Sequence, residues 1–159
     1  MTFAPPIVEP PRLCIIIPCF NHGAFLREAL ASALAIDQPG TEVVVVDDGS
    51  TDADTQACWA ELERDPPPRV RLIRQANQGV CVARNRAIAA TSAPYILSLD
   101  ADNRVRPDYA RAALAILEAD PRVGVVYGGY QTFGLRSEEH PASPFDLLDM
   151  LLKNRIDNC

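Results

Sequence analysis

Residues 13–52 read LCIIIPCFNHGAFLREALASALAIDQPGTEVVVVDDGSTD. The stretch opens on a short continuous apolar run, 13–17, of the kind that forms a strand covered on both faces. Pro18 follows it. Leu26, Leu30, Ala33 and Leu34 then recur at helical spacing, which predicts a helix over 23–35 with Asn21 as its N-cap. Pro39 separates this helix from the next run. Residues 42–46, EVVVV, are β-branched from Val43 on and form the strongest strand signal in the chain.

The same alternation continues outward. The polar turn GSTD opens a helix over 51–64, and 70–74 predicts a third strand. Residues 78–90 predict a helix with Val80, Ala83, Ala87 and Ala90 on one face, and 95–99 a fourth strand. A helix over 107–119 carries Pro107 at its first position, where the missing N–H costs nothing. Residues 123–127 predict a fifth strand. The fourteen prolines punctuate these elements, and Pro5, Pro6, Pro10 and Pro11 mark an extended arm over 1–12. A β-α-β-α order of this kind implies an α/β fold: an open, mostly parallel sheet with helices on both faces. The domain is read as 13–134. Residues 135–159 are read as loop followed by a short amphipathic helix over 145–152. The stripe Leu26, Leu30 and Leu34, together with Trp59, is assigned to packing.

Composition narrows the function classes. The chain has 159 residues, 48% hydrophobic and 23% charged, the balance of one globular domain. A net charge of −6 excludes a broad nucleic-acid footprint, which needs a basic face. The apolar runs fall far short of the roughly 20 residues that a transmembrane helix needs. The opening MTFAPPIVEPPR has no basic segment followed by an apolar one, so no secretory signal is expected and cytoplasmic residence is the default. Cys14, Cys19, Cys58, Cys81 and Cys159 are odd in number and form no CxxC pair. They are read as small buried or half-buried thiols, not a disulfide framework or zinc site. His22 and His140 are assigned to solvated or capping roles.

In open α/β sheets ligands bind outside the carboxyl ends of the strands. Following the strands in turn, those positions hold Pro18, Cys19, Phe20 and Asn21; Asp47, Asp48, Gly49 and Ser50; Asn77, Gln78 and Gly79; and Asp100, Ala101, Asp102 and Asn103. Four carboxylates converge on one edge, where they repel unless a cation or hydrogen-bond donors offset them. Asp100 and Asp102 can address one hard cation, or a cation and a ribose hydroxyl. Oxygen ligands suit Mg2+ or Mn2+. The bland alternative is a solvated turn with Asp102 capping the next helix. The Asp47–Ser50 turn likewise has two compatible readings. It starts a helix with Ser50, Thr51 or Asp52 as cap, and one of its carboxylates can accept from the imide N–H of a uracil or a related base edge. Gly79 opens a helix at which backbone can approach an anion closely. Arg84, in the following turns, can point back to the acidic cluster or to a diphosphate, whereas Arg86 is read as a surface residue. No GxGxxG follows the first strand and no GxxxxGK[ST] occurs, so dinucleotide and P-loop cradles are missing.

Taken together, IIIPCFNHGAFLREALASAL, EVVVVDDGSTD, RLIRQANQGVCVARNRAI and YILSLDADNRVRPDYARAAL resemble, in order and spacing, a family 2 glycosyltransferase of the GT-A fold. The resemblance runs from Leu13 to Gly134. It implies a nucleotide-sugar donor, a UDP-sugar first among them, lying across the carboxyl edge of the sheet. It also implies a divalent metal on the diphosphate and transfer that inverts the anomeric centre. Carried over by motif, Pro18 and Phe20 line the base pocket, Asp48 binds the base and Asp47 supports it. Arg84 lies near the diphosphate, with Gly79 at the same helix start. Asp102 is the direct metal ligand, and Asp100 lies nearer the ribose or a metal-bound water. Phe20 stands where many members carry tyrosine, which keeps ring stacking and loses a hydroxyl. Ala101 is neutral where some members carry a third acid.

The acceptor side is less defined. The resemblance places the catalytic base in an acidic motif well after the fifth strand. Glu138 and Glu139 lie in a polar loop and do not form such a motif, so the base is expected beyond Cys159 and the chain is read as a fragment of a longer enzyme. The acceptor is a saccharide, lipid or protein. Uncovered apolar surface around 145–152 would favour self-association. A donor-binding lobe without catalytic power is the rival reading. A phosphoacceptor receiver domain is excluded by motif: the third strand ends in Ile73-Arg74-Gln75, and the sole lysine, Lys153, does not follow the fifth strand.

Overall fold

The structure, a computed structural model, describes residues 10–146. Its main elements are β1 (Leu13–Cys19), α1 (Gly23–Leu34), β2 (Thr41–Asp47), α2 (Ala53–Arg64), β3 (Val70–Arg74), α3 (Val80–Ala89), β4 (Tyr95–Ser98) and α4 (Pro107–Ala119). The four strands form one sheet in the order β3-β2-β1-β4, every pair parallel. Every residue of β1 and β2 is buried. That is why these two segments read as unbroken apolar runs: strands at the centre of a parallel sheet are covered on both faces.

Side chains alternate across the sheet. Leu13, Ile15, Ile17, Val43 and Val45 face one layer, where they meet Leu26, Leu30 and Ala33 of α1, Cys58 and Trp59 of α2, and Ala110 and Leu114 of α4. Cys14, Ile16, Val44 and Val46 face the other, against Ala83 and Ala87 of α3. The α/β fold with helices on both faces is the one expected from the sequence.

The joint between β1 and α1 holds a correction. Asn21 does not cap α1. It has φ 57°, and its side-chain oxygen accepts from the amides of Thr51 at 2.8 Å and Asp52 at 3.3 Å. The left-handed turn after β1 aims it at the entrance to α2, a conformation asparagine tolerates. His22 stands at the α1 start through its backbone alone, and Asp52 caps α2 by accepting from Thr55 N at 2.8 Å. Gly23 sits where the two helix starts meet. Its amide donates to Thr55 Oγ1 at 2.7 Å, and an added Cβ would lie 2.2 Å from Thr55 Cα.

Residues 123–127 form no strand. β4 pairs with β1 alone, and 123–126 instead line one side of a cleft of about 380 Å³ along the open edge of β4, opposite Tyr95, Leu97 and Tyr109. The Tyr109 hydroxyl donates to Val126 O at 3.3 Å, and Gly128 lies against the Tyr109 ring. β-branched composition favours a pleated, half-buried surface, but without a neighbouring strand it makes no ladder. The chain then forms a small antiparallel ribbon, β5 (Tyr130–Gln131) with β6 (Glu139–His140). On it His140 stacks on Tyr130 at 4.5 Å, a more specific contact than the solvated role expected. Cys14, Cys19 and Cys58 are buried as anticipated, whereas Cys81 is exposed. The arm over 1–9, most of the helix expected over 145–152, and Cys159 lie outside the described residues.

Candidate functional site

The carboxyl ends of the strands bring the predicted residues to one edge. Pro18 is buried in β1 beside Val46 of β2. Phe20, just past the strand, leaves 45% of its surface exposed. Ser50 accepts from Asn21 N at 3.0 Å, so the turn after β1 is tied to the turn after β2 in both directions.

The two neighbouring carboxylates of the second turn have separate partners. Asp48 accepts from Gln75 Nε2 at 2.7 Å, Gln78 N at 2.9 Å and Gly79 N at 2.8 Å. Burial pushes its carboxyl pKa up, but these donors outweigh burial and hold it below the usual carboxylate range. Its Oδ2 takes only one of the three bonds, so that oxygen retains an acceptor position. Asp47 accepts from Ser50 N at 2.9 Å and pairs with Arg74 Nε at 3.3 Å. Gly49, between the turn and the β3–α3 loop, has φ 73°, and a Cβ there would lie 2.7 Å from Asn77 N. Only glycine combines that backbone with so close an approach.

On the other side of the sheet edge, Arg84 reaches from α3 to the turn after β4, where its Nη2 donates to Asp100 Oδ1 at 2.6 Å. Arg84 Nε is buried without a hydrogen-bond partner among the described residues. Ala101 is buried and Asp102 is exposed, so the turn Asp100-Ala101-Asp102, a DxD pattern, is anchored at its middle and presents Asp102 to solvent. Asp102 does not cap α4, whose N-cap is Arg106.

Among the described residues no three side chains of metal-ligating type cluster. Asp100 and Asp102 therefore offer a donor set of one or two carboxylates, one of them already engaged by arginine. That suits a hard, largely hydrated divalent ion whose remaining positions go to phosphate and water, and it does not suit a protein-only cage. The cleft beside β4 contains none of the predicted site residues and runs along that strand from its amino end, beside Leu13 and Pro94. Glu138 and Glu139 sit exposed at the ribbon, and among the described residues no hydrogen bond links them to the four turns.

Asn21, Ser50, Gln75 and Arg74 hold the turns of this edge together. Asn21 and Ser50 were placed at this edge from the sequence but read as helix caps, whereas the roles of Gln75 and Arg74 were missed. For Asn21 a signal existed, since asparagine after a strand is a common left-handed residue. For Gln75 and Arg74 there was none, because their partners are fixed by sheet register: Arg74 lies opposite Asp47.

Comparison with known proteins gives a consistent result. A family model described as Glycosyl transferase family 2 matches residues 14–158. A glycosyltransferase of Nostoc sp. is 30% identical over 148 residues, covering 89% of this chain and 46% of the relative. The succinoglycan biosynthesis protein ExoO of Rhizobium meliloti is 40% identical over 116 residues, covering 72% of this chain and 32% of its own. Among solved structures, the mannosyltransferase PcManGT of Pyrobaculum calidifontis, in complex with GDP-Man and Mn2+, is similar with a TM-score of 0.61. It is 29% identical, over 79% of this chain and 36% of that one. TarS of S. aureus, residues 1–349, has a TM-score of 0.58 at 26% identity, over 68% and 32%. The chain spans less than half the length of each of these relatives.

Proposed function

The chain belongs to glycosyl transferase family 2, and on that premise we propose that its carboxyl edge binds a nucleoside diphosphate sugar for transfer to an acceptor hydroxyl. The observation that carries this reading is the meeting of Arg84 and the DxD turn. A guanidinium held on Asp100, with Nε left over, stands beside an exposed carboxylate, Asp102. An anion and a divalent cation bound together match that pairing of charges.

Within this reading Phe20 stacks on the base, above Pro18, and Asp48 accepts the imide N–H through the free position on Oδ2. A UDP-sugar is the first candidate, and the GDP-Man complex of the PcManGT relative makes GDP-sugars the second. Asp47 holds the turn that carries Asp48. Gly79, at φ 91° and exposed, lets the diphosphate approach the start of α3. Asp102 and Asp100 would hold Mn2+ or Mg2+, which when bound offsets charge growing on the departing diphosphate. In the inverting reaction the acceptor oxygen attacks the anomeric carbon as the bond to the diphosphate breaks. The hydroxyl proton then passes to a carboxylate base. Among the described residues no hydrogen bond ties Glu138 or Glu139 to the turns of this edge, which favours a second reading, a lobe that binds the donor without turning it over.

Calorimetric titration with UDP and GDP, each with and without Mn2+, tests the proposal. Wild-type protein is expected to bind one of them more tightly with Mn2+, and Asp102→Ala to keep the metal-free affinity while losing the enhancement. Failure of the wild type to bind either nucleotide would contradict it.

A further inference from the structure

The Asp47–Ser50 turn is braced by Arg74, Gln56 and Trp59, to which the reading above gives no part in nucleotide binding. Arg74 ends β3 opposite Asp47. Its Nε lies 3.3 Å from Asp47 Oδ2, its Nη2 donates to Gln56 Oε1 at 3.2 Å, and its guanidinium carbon lies over the Trp59 ring, 5.2 Å from the centroid. Gln56 in turn donates to Ser50 O, and Gln75 N donates to Asp47 O at 3.0 Å. Trp59 is fully buried and donates to Glu63, so the stacking surface is itself fixed.

The chemistry explains the need for such a brace. Asp47 and Asp48 are consecutive, and each is only 2% exposed. Two adjacent buried carboxylates repel and are poorly hydrated. Asp48 is satisfied by three N–H donors of the β3–α3 loop, whereas Asp47 has one amide and Arg74. The planar fork serves Asp47, Gln56 and the Trp59 face together, which a lysine ammonium does not match.

We infer that Arg74 is a positioning residue for nucleotide binding: by neutralising Asp47 and clamping the turn through Gln56 and Trp59, it sets where the Asp48 carboxylate stands. The inference rests on the nucleotide-binding reading of the same edge. It assigns Arg74 no contact with the ligand, since it acts through Asp47.

The test is a set of calorimetric titrations with UDP and GDP, with and without Mn2+, on wild type, Arg74→Gln, Arg74→Lys and the double variant Asp47→Asn with Arg74→Gln. Arg74→Gln leaves a buried carboxylate uncompensated. It is expected to weaken metal-free binding about tenfold, roughly the loss of one charge-assisted hydrogen bond. The factor by which Mn2+ tightens binding should be unchanged, because the DxD turn is not part of the brace. A general loosening of the fold would lower both. The double variant removes the stranded charge and is expected to recover most of the affinity. Arg74→Lys should fall between wild type and Arg74→Gln, and it decides the matter if Arg74→Gln does not fold. Wild-type affinity in Arg74→Lys together with no gain in the double variant would overturn the inference, as would an unaltered Arg74→Gln. Absence of wild-type binding would instead overturn the nucleotide-binding reading itself.

Discussion

Asp48 illustrates how much of the site is decided by single hydrogen bonds. Three N–H donors hold its carboxyl pKa low against the upward push of burial. A carboxyl whose folded value lies below its unfolded value of about 3.9 stabilises the fold above that pH. That contribution is lost as pH falls through the lowered folded value. Denaturant unfolding of wild type and Asp48→Asn, compared from about pH 7 down to about pH 2, is expected to show wild type ahead above about pH 4 and the gap closing below it. A gap independent of pH would contradict the assignment. The acidic pair was legible as a pair at a strand end. The split between Asp48 on the β3–α3 loop and Asp47 on Arg74 was not, because both partners come from a segment more than 25 residues away whose register sequence pattern does not reveal. Thiols follow the same local logic. Burial pushes Cys14 up to about 12 and Cys19 up to about 11, and it raises Cys58 as well. Alkylation of the native protein at about pH 8, read by peptide mapping, should label exposed Cys81 and spare these three.

At the scale of elements, β3 and α4 were read to their ends and β1, β2, α1, α2 and α3 to within about two residues, the usual uncertainty of an element boundary. Buried parallel strands and small-faced helices leave strong local patterns. What failed was an element whose state depends on a neighbour. Residues 123–127 have strand composition, but the open edge of β4 lies across a cleft from them. The α1–α2 joint makes a sharper claim. An alanine at Gly23 would bring its Cβ 2.2 Å from Thr55 Cα, which is backbone and cannot rotate away. Gly23→Ala is therefore expected to cost about 1–3 kcal/mol or more by urea unfolding, from overpacking. A cost below about 0.5 kcal/mol, the level of an ordinary surface change, would show that the helices can separate at no penalty.

For the whole molecule, two regions compete as the ligand site. The cleft along β4 is largely apolar, lined by Leu13, Tyr95, Leu97 and Val125. The carboxyl edge is open and polar, and it gathers Phe20, Asp48, Gly79, Asp100 and Asp102 from turns that follow four different strands, and Arg84 from α3. Convergence of turns on one sheet edge was legible from element order alone, since parallel strands must all end on the same side. On the nucleotide-binding proposal this edge, and not the cleft, takes the nucleotide. Heteronuclear NMR during titration with UDP or GDP and Mg2+ tests it most directly. Backbone amide shifts are expected to be confined to 19–21, 47–50, 75–79 and 99–103. Shifts concentrated instead at Tyr95–Ser98, Tyr109 and 123–126, or none at saturating nucleotide, would contradict it.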